Sequence, residues 1–433
     1  MVAIFLSKQL SSVHSIPQSN MTVSGIDFGD QKLIYLDNNA STPIAPSVLA
    51  VMDKYKAIFG NPHSGHFLGA ISRSALDQAR KQVLDVFGLS ADAWTCIFTS
   101  GASECNNLAI KGVVMHALRT KPAETVHVCT SAVEHASIDK CVDYLGDLFG
   151  KARVTSARFP VDIHGVVNIE AVEEELRSHG NTLIVSCIQT VAETGAVQPV
   201  AEIANVAKRL SENLIFHCDA SQSVGKLSFD HLNSLAQDVD LITVAGHKFG
   251  APKGIGALLV RNTVMSRIDP LIHGAGQEFG IRGGTENVLF AIALGAACDL
   301  AKGKRQSTEL KDLLWEIISD EFKLSGKRVD FRLNSTAPIC SPLTINFSVA
   351  GTSGPCIVSA VGNAKVGTIN VCFSAGSACH SRGAPSPSKV LAAMGIDEKY
   401  STSGLRLSLG PATTEAQVRL AGPIIAKAII DVL

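Results

Sequence analysis

The sequence predicts an α/β protein: a mainly parallel sheet covered by helices on both faces, followed by a smaller α+β domain. Three observations carry that expectation. Between about residues 80 and 260, short apolar runs alternate with helical patterns. The runs are continuously apolar rather than alternating, as strands buried on both faces are. After residue 300 the texture changes to a charged helical stretch, shorter β-like runs and a Gly/Ser-rich segment.

Taken in chain order, strands are expected in CIFTS from Cys96, VHVCT from Val126, LIVSCI from Leu183, LIFHC from Leu214, LITVA from Leu241 and IGALLV from Ile255. Amphipathic segments, among them Ile169–Ser178 and Val200–Leu210, lie between them and supply the crossover helices. Val288 to Cys298 is wholly apolar and is stopped by Asp299. It is too short for a bilayer, which needs ~20 residues, so it reads as a buried helix. A charged helix over Lys302–Leu324 opens the second domain, and a helical stretch from Glu415 closes the chain. The expected organisation is an N-terminal extension (1–33), a large domain (46–303), and a small domain built from 34–45 and 304–433.

Composition limits what such a fold can serve. The 433 residues carry 38 Lys+Arg against 39 Asp+Glu, a formal net charge of -1, which gives no electrostatic case for binding nucleic acid or a membrane surface. Charged residues are 18% and hydrophobic ones 46%, the balance of a folded globular chain. Eleven cysteines without a C-x-x-C pair do not form a disulfide framework, and most sit in apolar runs as small buried hydrophobes. A reducing, cytoplasmic setting follows. The first 20 residues are Ser-rich and acid-free but hold one Lys and no Arg, a weak mitochondrial signal, and Met21 is a second candidate start.

Ligands in such sheets bind where strands end and loops begin. The strongest signal there is Val239-Asp-Leu-Ile-Thr-Val-Ala-Gly-His-Lys248 with the Gly-rich loop behind it. A partly desolvated Lys248 can form a Schiff base with a carbonyl such as that of pyridoxal phosphate; on position alone, a lysine there is more often a solvated loop residue. Asp219, ending another strand in Phe216-His-Cys-Asp219-Ala-Ser-Gln222, would suit that cofactor's pyridine nitrogen, or would cap the next helix. Ser100-Gly-Ala-Ser-Glu104 opens a helix whose free N–H groups would hold a phosphate. Three such loops on one sheet, each meeting a different need of one cofactor, argue against coincidence. In the small domain, Cys379 lies among Gly, Ser and Ala beside His380 and is the candidate reactive thiol. Arg406, in an alternating apolar run, could clamp a carboxylate.

These blocks, with Ile34-Tyr-Leu-Asp-Asn-Asn-Ala-Ser-Thr-Pro43, Gly60-Asn-Pro-His-Ser64, Glu134-His135, Arg282-Gly-Gly-Thr285 and Gly376-Ser-Ala-Cys379, resemble the NifS-like cysteine desulfurase and selenocysteine lyase family of the class V aminotransferase fold. The resemblance implies a fold type I enzyme with a seven-stranded sheet and pyridoxal 5′-phosphate as cofactor. It implies that Lys248 is the Schiff-base lysine, with His247 near the phosphate. Ala102 and Ser103 would hold the phosphate, His135 would stack on the ring, Asp219 would meet the ring nitrogen and Gln222 the phenolic oxygen. Thr285 would reach the phosphate of a partner subunit, so a homodimer is implied. Arg406 and Asn38 would meet the substrate. Lys248 and Cys379, with His135, would be catalytic: L-cysteine would give alanine and a persulfide on Cys379, and L-selenocysteine would give alanine and reduced selenium.

Two positions depart from the family. Its usual Asn-Asn-Glu is here Val191-Ala192-Glu193, and its hydroxyl residue two before the lysine's histidine is Ala245. Each lost bond to a charged group is worth about 1.5–3 kcal/mol, so cofactor binding is expected to survive while substrate orientation weakens. Cys379 stands 27 residues before Arg406, room for a long loop that delivers sulfur to an acceptor protein. That favours a desulfurase, whereas Cys379-His380-Ser381 is similar to selenocysteine lyases. A diverged enzyme for another amino acid, and a sulfur-transfer scaffold without turnover, complete the alternatives.

Overall fold

Residues 32–302, 306–363, 369–376 and 386–433 are described by the computed structural model. The central feature is a seven-stranded sheet with the order β2-β8-β7-β6-β5-β3-β4. Its strands are β2 (Trp94–Thr99), β3 (Val126–Ser131), β4 (Val154–Phe159), β5 (Thr182–Ile188), β6 (Ile215–Asp219), β7 (Leu241–Ala245) and β8 (Gly256–Arg261). All neighbours pair in parallel except β8, which runs against both β2 and β7. The expected mainly parallel sheet is therefore present, with one reversed strand. β3, β6 and β7 are buried at every residue, the consequence of helices on both faces. β4 is absent from the strands read in the sequence: as the sheet's edge it alternates buried ends with exposed Ser156 and Arg158, so it offers no apolar run.

Two apolar clusters sandwich this sheet. One gathers Phe87, Phe98, Phe159, Phe216 and the helix Val288–Ala301; the other gathers Leu108, Val113, Ile138, Leu145 and Leu258. The helix Val288–Ala301 packs on the helix Phe67–Asp85 at Gly295, where a Cβ would stand 3.1 Å from Ala79 Cα. It is buried, as its composition requires. The following helix covers Glu309–Leu324, so Lys302 caps the preceding helix instead of opening this one.

The third large cluster joins Ile34 and Leu36 to Leu314, Phe322, Phe347, Leu405 and Ile425. Its framework is an antiparallel sheet of β9 (Phe331–Leu333), β10 (Thr344–Val349) and β12 (Leu405–Ser408), and a parallel pair of β1 (Lys32–Tyr35) with β11 (Ile369–Cys372). The closing helix Glu415–Val432 begins with a capping box: Gln417 N–H donates to Thr414 Oγ1, and Thr414 N–H donates to Gln417 Oε1 at 3.0 Å. Among the described residues no helix is long and apolar enough to cross a membrane.

One surface segment is strained. Glu278 and Phe279 have φ of 47° and 58°, costly for side chains with a Cβ. The buried Glu278 carboxylate holds them there by accepting both Arg80 terminal nitrogens, at 2.7 and 2.8 Å, and Phe98 N–H at 2.8 Å. Phe279 is left exposed, as are Ile272, Phe59 and Phe67.

Candidate active site

The loops leaving the carboxyl ends of β2, β3, β5, β6 and β7 converge, as the direction of a parallel sheet dictates. After β2 the chain turns at Gly101 (φ 154°, ψ 177°), a conformation essentially reserved for glycine, and enters the helix Ala102–Thr120. No side chain caps that helix, so its first N–H groups and the positive end of its dipole face outward at Ala102 and Ser103. In the same turn Glu104 accepts Ser100 N–H at 2.8 Å and Arg282 Nε at 2.9 Å. Burial opposes its charge, yet these bonds hold it below the usual carboxylate range.

At the end of β6, Asp219 is sealed from water but remains ionised. Burial would raise it; Ser221 N–H on Oδ1, Asn106 Nδ2 on Oδ2 (both 2.9 Å) and the nearby Lys248 charge reverse the direction. Asn106 Nδ2 also lies 2.9 Å from Ser137 Oγ, which meets His135 Nδ1 at 2.8 Å. A polar chain thus runs from Asp219 to His135, the residue capping the helix after β3. Burial first, then Lys248, lowers the pKa of His135 and favours its neutral form.

Lys248 ends the short turn Gly246–Lys248 after β7, half-buried. Its charge is felt by Asp219, His135 and His247. His247 is lowered to about 4 by burial and by the lysine charges around it. The turn is clamped from β1's far side: the His247 carbonyl accepts Thr42 N–H at 2.8 Å and Thr42 Oγ1 at 3.0 Å. Lys248, His247, Asp219 and His135 are thereby brought together, with the helix start at Ala102 behind them.

Gln222 is nearby but occupied. Its Nε2 donates to Asn39 O at 2.9 Å and its Oε1 accepts from Lys226. Lys226 Nζ also donates to Asn39 Oδ1 at 2.7 Å, and Asn39 Nδ2 reaches Ala192 O at 3.1 Å. Lys226 is buried; desolvation, then the Lys248 and Arg406 charges, push it far below the usual lysine range. Sequence reasoning missed both Lys226 and Asn39. The available signal was a lysine one turn beyond Gln222. Asn38, the residue read as substrate-binding, gives its amide to Ser408 O at 3.0 Å and packs against Gly410.

Arg406 lies in β12, 2% exposed, with Nη2 on Asp37 Oδ1 at 2.9 Å and Nη1 on Ala192 O at 3.2 Å. Its Nε has no partner among the described residues. Asp37 also accepts Ser374 Oγ at 2.8 Å, tying the segment before the Gly/Ser loop to the same arginine. Cys379 and His380 lie outside the described residues. The described residues on either side, among them Gly376 and Ser388, line one cavity of about 540 Å³ with His135, Ala192 and Glu193. Glu193 is buried beside both: burial raises its carboxyl, Ser388 bonds it, and a Cβ on Gly376 would stand 3.1 Å from its Oε1. Thr285 is not part of this group; it is exposed on the surface segment that carries Ile272 and Phe279.

Comparison with known proteins agrees with this geometry. Residues 34–420 match the family model described as aminotransferase class-V. A probable mitochondrial cysteine desulfurase of Dictyostelium discoideum is 35% identical over 412 residues, 93% of this chain and 84% of that protein. Among solved structures, a NifS-like protein superposes with a TM-score of 0.78 at 28% identity, covering 92% of this chain and all of its own. A structure described as SspA in complex with cysteine gives 0.71 at 31% identity, covering 88% and 99%.

Proposed function

The chain belongs to the class-V aminotransferase family, and from that premise we propose that it is a cysteine desulfurase that uses pyridoxal 5′-phosphate and passes sulfur through Cys379. The observation that carries this reading is the grouping of Lys248, ionised Asp219 and neutral His135 beside an uncapped helix start and an arginine with an unpartnered Nε.

The donor set fits the cofactor. Asp219 keeps its charge under bonds from Ser221 and Asn106, which suits a protonated ring nitrogen. The N–H groups at Ala102 and Ser103 would hold the phosphate, with His247 alongside, and Lys248 Nζ would hold the group covalently. His135 would cover the ring face and Gln222 would meet the ring oxygen once released from Asn39. When bound, the cofactor supplies an electron sink for the substrate's α-carbon.

The chain's own residues supply the rest. Arg406 would take the substrate carboxylate, exchanging part of its pairing with Asp37. Lys248 Nζ would remove the α-proton and return a proton to carbon. The Cys379 thiolate would attack the substrate sulfur: the S–S bond forms as the substrate's C–S bond breaks, and its electron pair stays with the carbon that becomes the alanine methyl. The persulfide would then pass to an acceptor protein.

Further parts of the proposal rest on other observations. A homodimer, with Thr285 serving the partner's phosphate, is supported by the exposed apolar residues Ile272 and Phe279 near Thr285 and by exposed Phe59 and the helix start at Phe67, which flank His63, joined to this segment through Glu286 at 2.7 Å. Two domains, 46–303 and 34–45 with 304–433, match the separate apolar clusters. A reducing compartment, the cytoplasm, fits ten described cysteines that are all free; a tagged copy found in mitochondria would overturn that assignment.

The deciding experiment measures alanine released from L-cysteine and from L-selenocysteine by the cofactor-loaded protein, with Cys379→Ala as control. Alanine from cysteine that vanishes in the control is expected. Release from selenocysteine alone would replace the reading by selenocysteine lyase, and release from neither would end both.

A further inference from the structure

Catalysis as proposed leaves Lys226 without a task, yet this lysine is only 5% exposed and lies within range of the Lys248 charge. A buried amine is costly unless it is partnered. Lys226 stands four residues beyond Gln222 on the loop after β6. Its Nζ donates to Gln222 Oε1 and, at 2.7 Å, to Asn39 Oδ1. Asn39 follows β1 and is fixed by two other strands. Its N–H donates to Ser408 Oγ of β12 at 2.9 Å, and its Nδ2 to Thr344 Oγ1 of β10 at 3.0 Å.

The two ends of an amide side chain are nearly the same size, so its neighbours decide which end faces where. Around Gln222 they leave one choice. The Asn39 main-chain carbonyl can only accept, so Nε2 turns to it at 2.9 Å and Oε1 is left for the Lys226 amine. Asn39 is sorted in the same way. The Ala192 carbonyl can only accept and takes Nδ2 at 3.1 Å, which leaves Oδ1 for Lys226. Ala192 O also accepts Arg406 Nη1 at 3.2 Å. One amine therefore holds the carbonyl ends of two amides, one assigned to the cofactor and one sharing an acceptor with the substrate's arginine.

Resting on the proposed cofactor, we infer that Lys226 is a positioning residue for it: its bond to Gln222 Oε1 keeps that carbonyl away from the ring oxygen, so that the N–H end of the amide meets the oxygen instead. Gln222 leaves the Asn39 carbonyl to make that contact, and the bond from Lys226 is then what tells its two ends apart. An N–H stabilises an anionic ring oxygen, whereas a carbonyl turned to it repels it. The amine suits this task without a charge. Burial, with the Lys248 and Arg406 charges facing it, favours its neutral form, whose two hydrogens match the two acceptors. His247 also lies within range of it.

The test reads the bound cofactor rather than turnover. Full-length wild type, Lys226→Met, Gln222→Leu and the double variant are loaded with pyridoxal 5′-phosphate, and the pH midpoint of the visible absorption band is titrated in each. Loss of the donor weakens the anionic ring oxygen, so the proton it shares with the lysine nitrogen is held to higher pH. Lys226→Met and Gln222→Leu are each expected to raise the midpoint by about one unit, tenfold in proton affinity and the size of one bond to a charged group. The double variant is expected to match Gln222→Leu, because Lys226 acts through that amide. Lys226→Gln, which keeps a donor, is carried through both backgrounds against a Met variant that fails to fold, and should shift the midpoint less. An unchanged midpoint in the Lys226 variants, or a shift that adds to that of Gln222→Leu, would overturn this role and leave the cofactor in place. Wild type without a cofactor band would end both.

Discussion

Glu134 and Asp219 are both buried carboxyls that feel one another's charge, yet they take opposite states. Asp219 is held ionised by two donors, one on each oxygen, and by the charge of Lys248. Glu134 is pushed up to about 8 by burial, to which the Asp219 charge adds; bonds from Ser131 and Ile188 to a single oxygen do not compensate. Between its unfolded value near 4.5 and about 8, the folded chain holds a proton that the unfolded chain has lost. The contribution is therefore fully present below 4.5 and declines as pH rises through 8, by an amount on the order of 3–5 kcal/mol. Chemical denaturation across pH 5–9 should show Glu134→Gln flattening that decline relative to wild type. Arg406 yields a kinetic prediction. Its fork spans Asp37 and Ala192 O, which the single ammonium of a lysine cannot do at once. Arg406→Lys should raise KM for L-cysteine about tenfold or more while the cofactor's visible absorbance stays unchanged.

The loop after β5 shows how a small sequence change acts through an element. Ala192 contributes its carbonyl, shared by Arg406 and Asn39, and lines the cavity at the position where the resembled family has an amide. Ala192→Asn is expected to raise kcat/KM for L-cysteine about tenfold, the worth of one bond to a charged group; an unchanged or lower value in steady-state kinetics would show that Asn39 already fills that place. Elements of this kind were legible in the sequence to different depths. Buried strands such as β6 and β7 announce themselves because both faces demand apolar side chains. The edge strand β4 does not, since water satisfies half of it. Lys248, Asp219 and His135 could be read because each closes a strand or opens a helix. Lys226 and Asn39 could not, because their role is a bond made across 187 residues of chain.

At the scale of the molecule, the strain at Glu278 and Phe279 is maintained by three hydrogen bonds from Arg80 and Phe98, and its visible result is an aromatic ring held in solvent. That ring is expected to be covered in a dimer. Phe279→Asp should sediment as a monomer and, having lost the partner's Thr285, should retain less cofactor after gel filtration than wild type; an unchanged dimer in analytical ultracentrifugation would remove this surface from the interface.

The pairing of β1 with β11 joins Lys32 to Ile369, and the same cluster contains Ile425. A ribosome producing about 5–20 residues per second leaves β1 without its partner for tens of seconds after it emerges. During that interval the seven-stranded sheet can close, since its strands lie between Trp94 and Arg261. Birth order thus makes the cofactor-holding half the template on which the arginine-bearing half is later assembled, and a nascent chain truncated near residue 310 is expected to protect the first from protease while leaving β1 open to cleavage.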